Sequence, residues 1–225
     1  MGANVPPRAV VFDMDGLMFN TEDLYVEVGS RLLARRGKQF TRELLDEMMG
    51  RPTKIALGIM IQRNDLDATV EQLETETDAL FPDVLDAKLA PMPGLLELLA
   101  ALAEAGIPKA VATSSRRHFV LDCLSRFDLI GRFQFVLTAE DVVHGKPEPE
   151  IYQTAARRLG LACSQVMVLE DSEIGCRAAS RAGTFAVAVP GDHSRSHSFE
   201  GAAFIADSLA DPRIYTALGL RAGSS

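Results

Sequence analysis

The chain has 225 residues, 47% of them hydrophobic and 24% charged, which suits one main globular domain with a modest insert and excludes general disorder. Thirty-one acidic residues against 23 Lys and Arg give a net charge of −8, which opposes attraction to a phosphate polymer, so no nucleic acid partner is expected. The longest apolar runs, such as residues 95–102, fall short of the roughly 18 residues a membrane span needs.

In chain order, residues 1–8 hold two prolines and no apolar stretch of the kind a secretory signal has, so a cytoplasmic chain without membrane attachment is expected. Residues 9–12 are short, branched and apolar, and run straight into Asp13-Met14-Asp15-Gly16. The following stretch, to about residue 89, lacks a strong β run and carries helical patterns over 22–36, 42–48, 53–63 and 68–86, with Gly37, Gly50 and Asn64 near helix ends. It reads as a separate α-helical bundle. Ala90-Pro91-Met92-Pro93-Gly94 breaks that pattern. Beyond it, β runs at 109–113, 133–137, 166–169 and 185–189 alternate with helices at 95–105, 151–159 and 173–182, each closed by a glycine, Gly106, Gly160 and Gly183. Short apolar strands separated by helices predict a parallel sheet buried on both faces. The expected fold is therefore α/β, a Rossmann-like three-layer core formed by residues 1–19 and 91–225, with residues 20–90 inserted as a helical cap. Cys123, Cys163 and Cys176 form no Cys-x-x-Cys pair and read as reduced thiols.

The polar groups that follow the β runs carry the chemistry. Asp13 and Asp15, two apart in extended chain, send their carboxylates to one side at the C-terminal edge of the sheet, where open α/β folds bind ligands, and Gly16 lets the chain turn away. Thr113, Ser114 and Ser115 offer hydroxyls and N–H groups suited to phosphate oxygens. Lys146, in Gly145-Lys146-Pro147, supplies a point charge, and Glu170-Asp171 can hold a hard divalent cation. Each signal alone is weak. Their common address beside β runs is what carries the reading.

The ordered set Phe12-Asp13-Met14-Asp15-Gly16, Ala112-Thr113-Ser114-Ser115, His144-Gly145-Lys146-Pro147-Glu148-Pro149 and Leu169-Glu170-Asp171-Ser172 resembles the haloacid dehalogenase superfamily over nearly the whole chain. The helical insert is similar to the cap of the β-phosphoglucomutase and pseudouridine-5′-phosphatase-like branch, with Tyr25, Met49-Gly50-Arg51-Pro52 and Met92-Pro93-Gly94 as local support. The resemblance implies an Mg²⁺-dependent phosphatase of a small phosphorylated metabolite, a sugar phosphate, nucleotide or nucleoside 5′-phosphate. In it Asp13 is the nucleophile that forms an aspartyl-phosphate, Asp15 the general acid and base, and Lys146 the cation that offsets repulsion. Magnesium is held by the Asp13 carboxylate, the Asp15 carbonyl and Asp171, and Glu170 orients metal-bound water. Thr113, with Ser114 or Ser115, binds the phosphoryl group. Tyr25 and Arg51 read the substrate from the cap, and a monomer or weak dimer is expected.

Competing functions separate on particular residues. Dehalogenases and phosphonatases of the superfamily typically lack the second aspartate, which is present here as Asp15. A receiver module needs about half this length, and no Gly-x-Gly-x-x-Gly follows the first strand to mark a dinucleotide site. A phosphohexomutase is the second reading, although the cap histidine of that branch falls at Tyr25 here and its lysine and arginine near Met49 and Thr53, with Arg51 as a partial compensation. Asn20 stands at the core-to-cap hinge where the family often has Asp, and altered hinge contacts are expected. His193 and His197 lie in a Ser-rich loop and read as solvated.

Overall fold

A computed structural model describes residues 6–48, 51 and 53–220. Six strands form one parallel sheet: β1 (Ala9–Phe12), β2 (Lys109–Ala112), β3 (Val136–Leu137), β4 (Val166–Glu170), β5 (Phe185–Ala188) and β6 (Phe204–Ile205), in the spatial order β3-β2-β1-β4-β5-β6. Every residue of β1, β2 and β4 is buried, as strands covered on both faces must be. The α/β class read from the sequence is borne out. The order reverses direction at β1, with β2 on one side and β4 on the other, and this is the switch point beside whose C-terminal ends ligands bind in such sheets.

The helices are α1 (Thr21–Ala34), α2 (Arg42–Met48), α3 (Thr53–Asn64), α4 (Val70–Lys88), α5 (Leu95–Glu104), α6 (Arg117–Ser125), α7 (Glu150–Leu159), α8 (Glu173–Arg181) and α9 (Pro212–Ala217). The chain divides into two compact units, one holding the described residues up to Phe19 and from Pro91 onward, the other Asn20–Ala90. In the sheet unit, α7 and α8 lay Ile151, Tyr152, Ala155, Ala178 and Ala179 against Val11, Ala112 and Val168. Small alanines let these helices approach the strands closely. The helical unit packs α1 with α4 and α2 with α3 around Leu33, Leu44, Leu57, Met60 and Leu73. A capping box at Thr69 and Gln72 fixes the start of α4, and the Arg36 guanidinium grips both carboxylate oxygens of Glu76 across the bundle.

The two chain passages between the units are tied on each side. Phe19 pairs with Pro91 in an antiparallel bridge within the sheet unit. In the helical unit Asn20 N–H donates to the Ala90 carbonyl at 3.2 Å, its side-chain amide donates to the Lys88 carbonyl at 3.1 Å, and its Oδ1 accepts from the Ala90 N–H at 2.8 Å. An aspartate could make the last of these side-chain bonds but not the donation to Lys88.

Three elements depart from the sequence reading. The run expected over 133–137 keeps only two ladder residues, because a 3₁₀ turn at Ile130–Arg132 feeds it, although Gln134 N–H still bonds the Lys109 carbonyl and the Phe135 carbonyl accepts from Val111. β6 and α9 had no counterpart in the sequence reading, being two and six residues long, too short for a periodic signal. The α9 start is nonetheless marked by Asp211 as N-cap with Pro212 at the first helical position.

Candidate active site

The site is assembled from the C-terminal ends of three adjacent strands. Asp13 follows β1, its N–H bonding the Leu169 carbonyl of β4; Thr113 follows β2; and Glu170 ends β4 with Asp171 next. The chain leaves β1 in a tight turn in which Met18 N–H bonds the Met14 carbonyl and Gly16 N–H bonds the Phe19 carbonyl, with Gly16 at φ 73°. This turn sets Asp15 beside the end of β2.

Asp15 Oδ2 accepts two hydroxyl donors, Thr113 Oγ1 at 3.0 Å and Ser115 Oγ at 2.7 Å, while its Oδ1 is buried without a hydrogen-bond partner. Thr113 Oγ1 also accepts the Ser115 N–H at 3.0 Å, so the Thr113-Ser114-Ser115 turn is folded back on the carboxylate. Two of the three hydroxyls singled out in the sequence thus meet Asp15, whereas Ser114 is exposed.

Lys146 reaches the site from the loop before α7, with a side chain only 3% exposed. Its ammonium has three N–H bonds and three acceptors: Asp13 Oδ1 at 2.5 Å, Glu170 Oε1 at 2.6 Å and the Ala112 carbonyl at 3.1 Å. Burial alone would lower the Lys146 pKa, but the Asp13 and Glu170 carboxylates outweigh it and hold the group above its usual value, as ammonium. For Asp13 burial dominates and raises the pKa well above the ordinary carboxylate range; Glu170 and Asp15 add to the rise, and Lys146 opposes it.

Glu170, fully buried, is held by four donors. Oε1 takes Lys146 and the Tyr152 hydroxyl, each at 2.6 Å, and Oε2 takes the Ser172 hydroxyl at 2.9 Å and the Ser172 N–H at 3.2 Å. Gly175, in the first turn of α8, lies flush against this carboxylate, and a Cβ there would overlap it. The sequence reading missed Tyr152, which sits among the apolar residues of α7. On an amphipathic helix such a tyrosine reads as core, and no local pattern says that its hydroxyl has a partner.

Asp13, Glu170 and Asp171 each offer a carboxylate oxygen, and these atoms lie within 4.8 Å of one another, all three residues buried. Three buried acids against one ammonium leave surplus negative charge, and an all-oxygen donor set is the kind a hard divalent cation takes. The residues therefore fit such an ion. With four protein donors on Glu170, Asp13 and Asp171 are the carboxylates best placed to ligate it. Among the described residues no other His, Cys, Asp or Glu group of this kind occurs, so His193 and His197 join none.

Tyr25 and Arg51 belong to the helical unit. Tyr25 is 44% exposed and meets Phe81 edge-on, with ring centroids 4.9 Å apart. Arg51 is exposed after α2, and its neighbours Met49, Gly50 and Pro52 lie outside the described residues.

The family model for haloacid dehalogenase-like hydrolases matches residues 10–189. The chain belongs to that family. This hydrolase is 34% identical over 176 residues to a phosphorylated carbohydrates phosphatase of Thermotoga maritima, covering 78% of this chain and 82% of that protein. It is 33% identical over 188 residues to validoxylamine A 7′-phosphate phosphatase of Streptomyces hygroscopicus subsp. limoneus, covering 83% and 87%. Among solved structures, CbbY from Rhodobacter sphaeroides in complex with phosphate is similar at 27% identity and a TM-score of 0.79, covering 90% of this hydrolase and 95% of that chain. The fold extends to β-phosphoglucomutase from Clostridium difficile at 19% identity and a TM-score of 0.73, covering 90% and 92%. This hydrolase is also 32% identical over 207 residues to a probable pseudouridine-5′-phosphatase of Drosophila melanogaster, covering 89% of each, and the superfamily and branch read from the motifs are borne out.

Proposed function

We propose that this hydrolase is an Mg²⁺-dependent phosphatase that releases phosphate from a small phosphorylated metabolite, a sugar phosphate or a nucleoside 5′-phosphate, through an aspartyl-phosphate on Asp13. The observation that carries the reading is the Lys146 ammonium seated 2.5 Å from Asp13 Oδ1 in a buried, acid-rich pocket at the sheet's switch point. The phosphatase relatives in Thermotoga and Streptomyces support the reaction class.

With Oδ1 taken by Lys146, Asp13 Oδ2 is the oxygen that attacks phosphorus. The ester P–O bond breaks as the Asp13–phosphorus bond forms, and Asp15 gives its proton to the departing alkoxide. Water then attacks the same phosphorus, Asp15 takes back a proton, and the Asp13–phosphorus bond breaks to release inorganic phosphate. Thr113 and Ser115 pin Asp15 Oδ2, which leaves Oδ1 as the atom that carries the proton. Lys146 opposes the burial-driven rise in the Asp13 pKa, favours the carboxylate form, and offsets its repulsion with a dianionic ester. Asp13 and Asp171 would hold the magnesium ion, which supplies further neutralisation of the phosphoryl oxygens when bound.

The test is phosphate release from a panel of sugar phosphates and nucleotides with Mg²⁺ and with chelator, together with an assay for β-glucose 1-phosphate isomerisation. Asp13→Asn is expected to lose on the order of 10³-fold or more in kcat while remaining folded. Near-normal turnover by that variant would overturn the proposal, and isomerisation faster than hydrolysis would make the enzyme a mutase.

A further inference from the structure

Tyr152 is fully buried on the face of α7 that packs against the sheet, and its hydroxyl donates to Glu170 Oε1 at 2.6 Å. Its ring lies under the Lys146 ammonium, 5.0 Å from Nζ to the ring centroid. One side chain therefore touches both members of the Lys146–Glu170 pair. Phenylalanine would fill the same space with no polar atom to satisfy, so packing does not account for the hydroxyl. What the hydroxyl adds is a second proton on Oε1. With Lys146 and Tyr152 on one oxygen and two Ser172 donors on the other, the carboxylate has no lone-pair direction left in which to turn. Gly175 closes the remaining side.

We infer that Tyr152 is a positioning residue of the reaction: its hydroxyl locks the Glu170 carboxylate, and through it the Lys146 ammonium is held on the Asp13 nucleophile. The inference rests on the reading of Asp13 and Lys146 as reacting groups. Lys146 is shared between two carboxylates at nearly equal distance, 2.5 Å and 2.6 Å, so its place is set by how strongly each one draws it. Without the Tyr152 proton, Oε1 carries more unshared charge and draws the ammonium more strongly. Lys146 then moves toward Glu170, and the attacking carboxylate loses the charge that makes its approach to a phosphate anion feasible. Binding of substrate depends less on this balance than the displacement does, because the repulsion peaks as oxygen closes on phosphorus.

Tyr152→Phe removes one oxygen and keeps the ring that fills the core. Assayed on p-nitrophenyl phosphate with Mg²⁺, it is expected to lower kcat about tenfold with KM within about twofold of wild type. In protein labelled with ¹⁵N at lysine Nζ, the Lys146 ammonium, assigned by its absence in Lys146→Arg, is expected to give a slowly exchanging signal that broadens away in Tyr152→Phe. In a Glu170→Gln background, adding Tyr152→Phe is expected to change kcat by less than about twofold, since the route through the carboxylate is already cut. Should Tyr152→Phe fail to fold, Ser172→Ala unlocks the same carboxylate from its other oxygen and is read by the same kcat and ammonium signals. Wild-type kcat in the variant, an unchanged ammonium signal, or an equal loss in the Glu170→Gln background would each overturn the inference. Normal turnover by Asp13→Asn would instead overturn the reading of the site beneath it.

Discussion

Gly175→Ala tests the seating of the Glu170 carboxylate most sharply, because helix chemistry and site geometry give it opposite signs. Gly175 lies in the first turn of α8, and alanine in an ordinary helical position is preferred to glycine by about 1 kcal/mol. Here the added methyl would occupy the space of the Glu170 Cδ, Oε1 and Oε2 atoms. The carboxylate cannot shift without giving up four hydrogen bonds, including the 2.6 Å contacts to Lys146 and Tyr152. Disrupting a buried ion pair costs about 3–5 kcal/mol, so the net effect is a loss of about 2–4 kcal/mol. Gly58, inside α3, provides the contrast: a Cβ there meets nothing within 4 Å, and Gly58→Ala is expected to gain about 0.5–1 kcal/mol. Urea unfolding of both variants, with phosphate release measured alongside, reads the pair. A Gly175→Ala protein as stable and as active as wild type would show that the Glu170 carboxylate is not seated against α8 and does not hold Lys146 as described.

Three further outcomes are expected. Ser115→Ala removes the shorter of the two hydroxyl bonds to Asp15 and is expected to lower kcat about tenfold with little change in KM; a raised KM with unchanged kcat would place Ser115 on the phosphate instead. Asp211 is held at a pKa of about 2, chiefly by its bonds from the Arg213 guanidinium, so its charge stabilises the fold above the ordinary carboxylate value and that contribution is lost as pH falls from about 4 through 2. Asp211→Asn keeps the helix cap, so the variant is expected to be less stable by about 1 kcal/mol at pH 6, with the gap closing as pH drops toward 2 in urea unfolding; a gap independent of pH would refute the charge argument. Burial pushes the Cys123 thiol up to about 12 and also raises Cys176, while Cys163 is partly exposed, so a thiol reagent at pH 8 is expected to label one cysteine in the native protein and three in denaturant.

The parts of the site carried by short local patterns were legible in the sequence. A β run ending in Asp13-Met14-Asp15-Gly16 announces carboxylates at a sheet edge, because strand, turn and acids are contiguous. The juxtaposition of Asp13 with Glu170 was legible only through the family resemblance, since no local rule says that β1 lies beside β4 rather than β3. Tyr152 escaped because an aromatic on an amphipathic helix reads as core, which it is, and its hydroxyl acquires meaning only when Glu170 arrives from a distant strand. The sequence sets Thr113, with Ser114 or Ser115, toward the phosphoryl group, and only the folded turn shows that the Thr113 and Ser115 hydroxyls both donate to Asp15. β6 and α9 were missed for a simpler reason, since two strand residues and six helical ones leave no period to detect.

The clasp at Asn20 has a consequence for how the chain can be cut and rejoined. The helical unit enters at Asn20 and leaves at Ala90, and the two residues are within hydrogen-bond reach of each other, while Phe19 and Pro91 are bridged just outside them. Both halves of the chain therefore present paired ends at the same seam. A short turn from Phe19 to Pro91 would close the sheet unit without stretching its backbone, and the 20–90 segment could be sealed head to tail as a miniature ring. Such a seam is where a cassette can be exchanged between relatives while the strands that carry the acids stay in register.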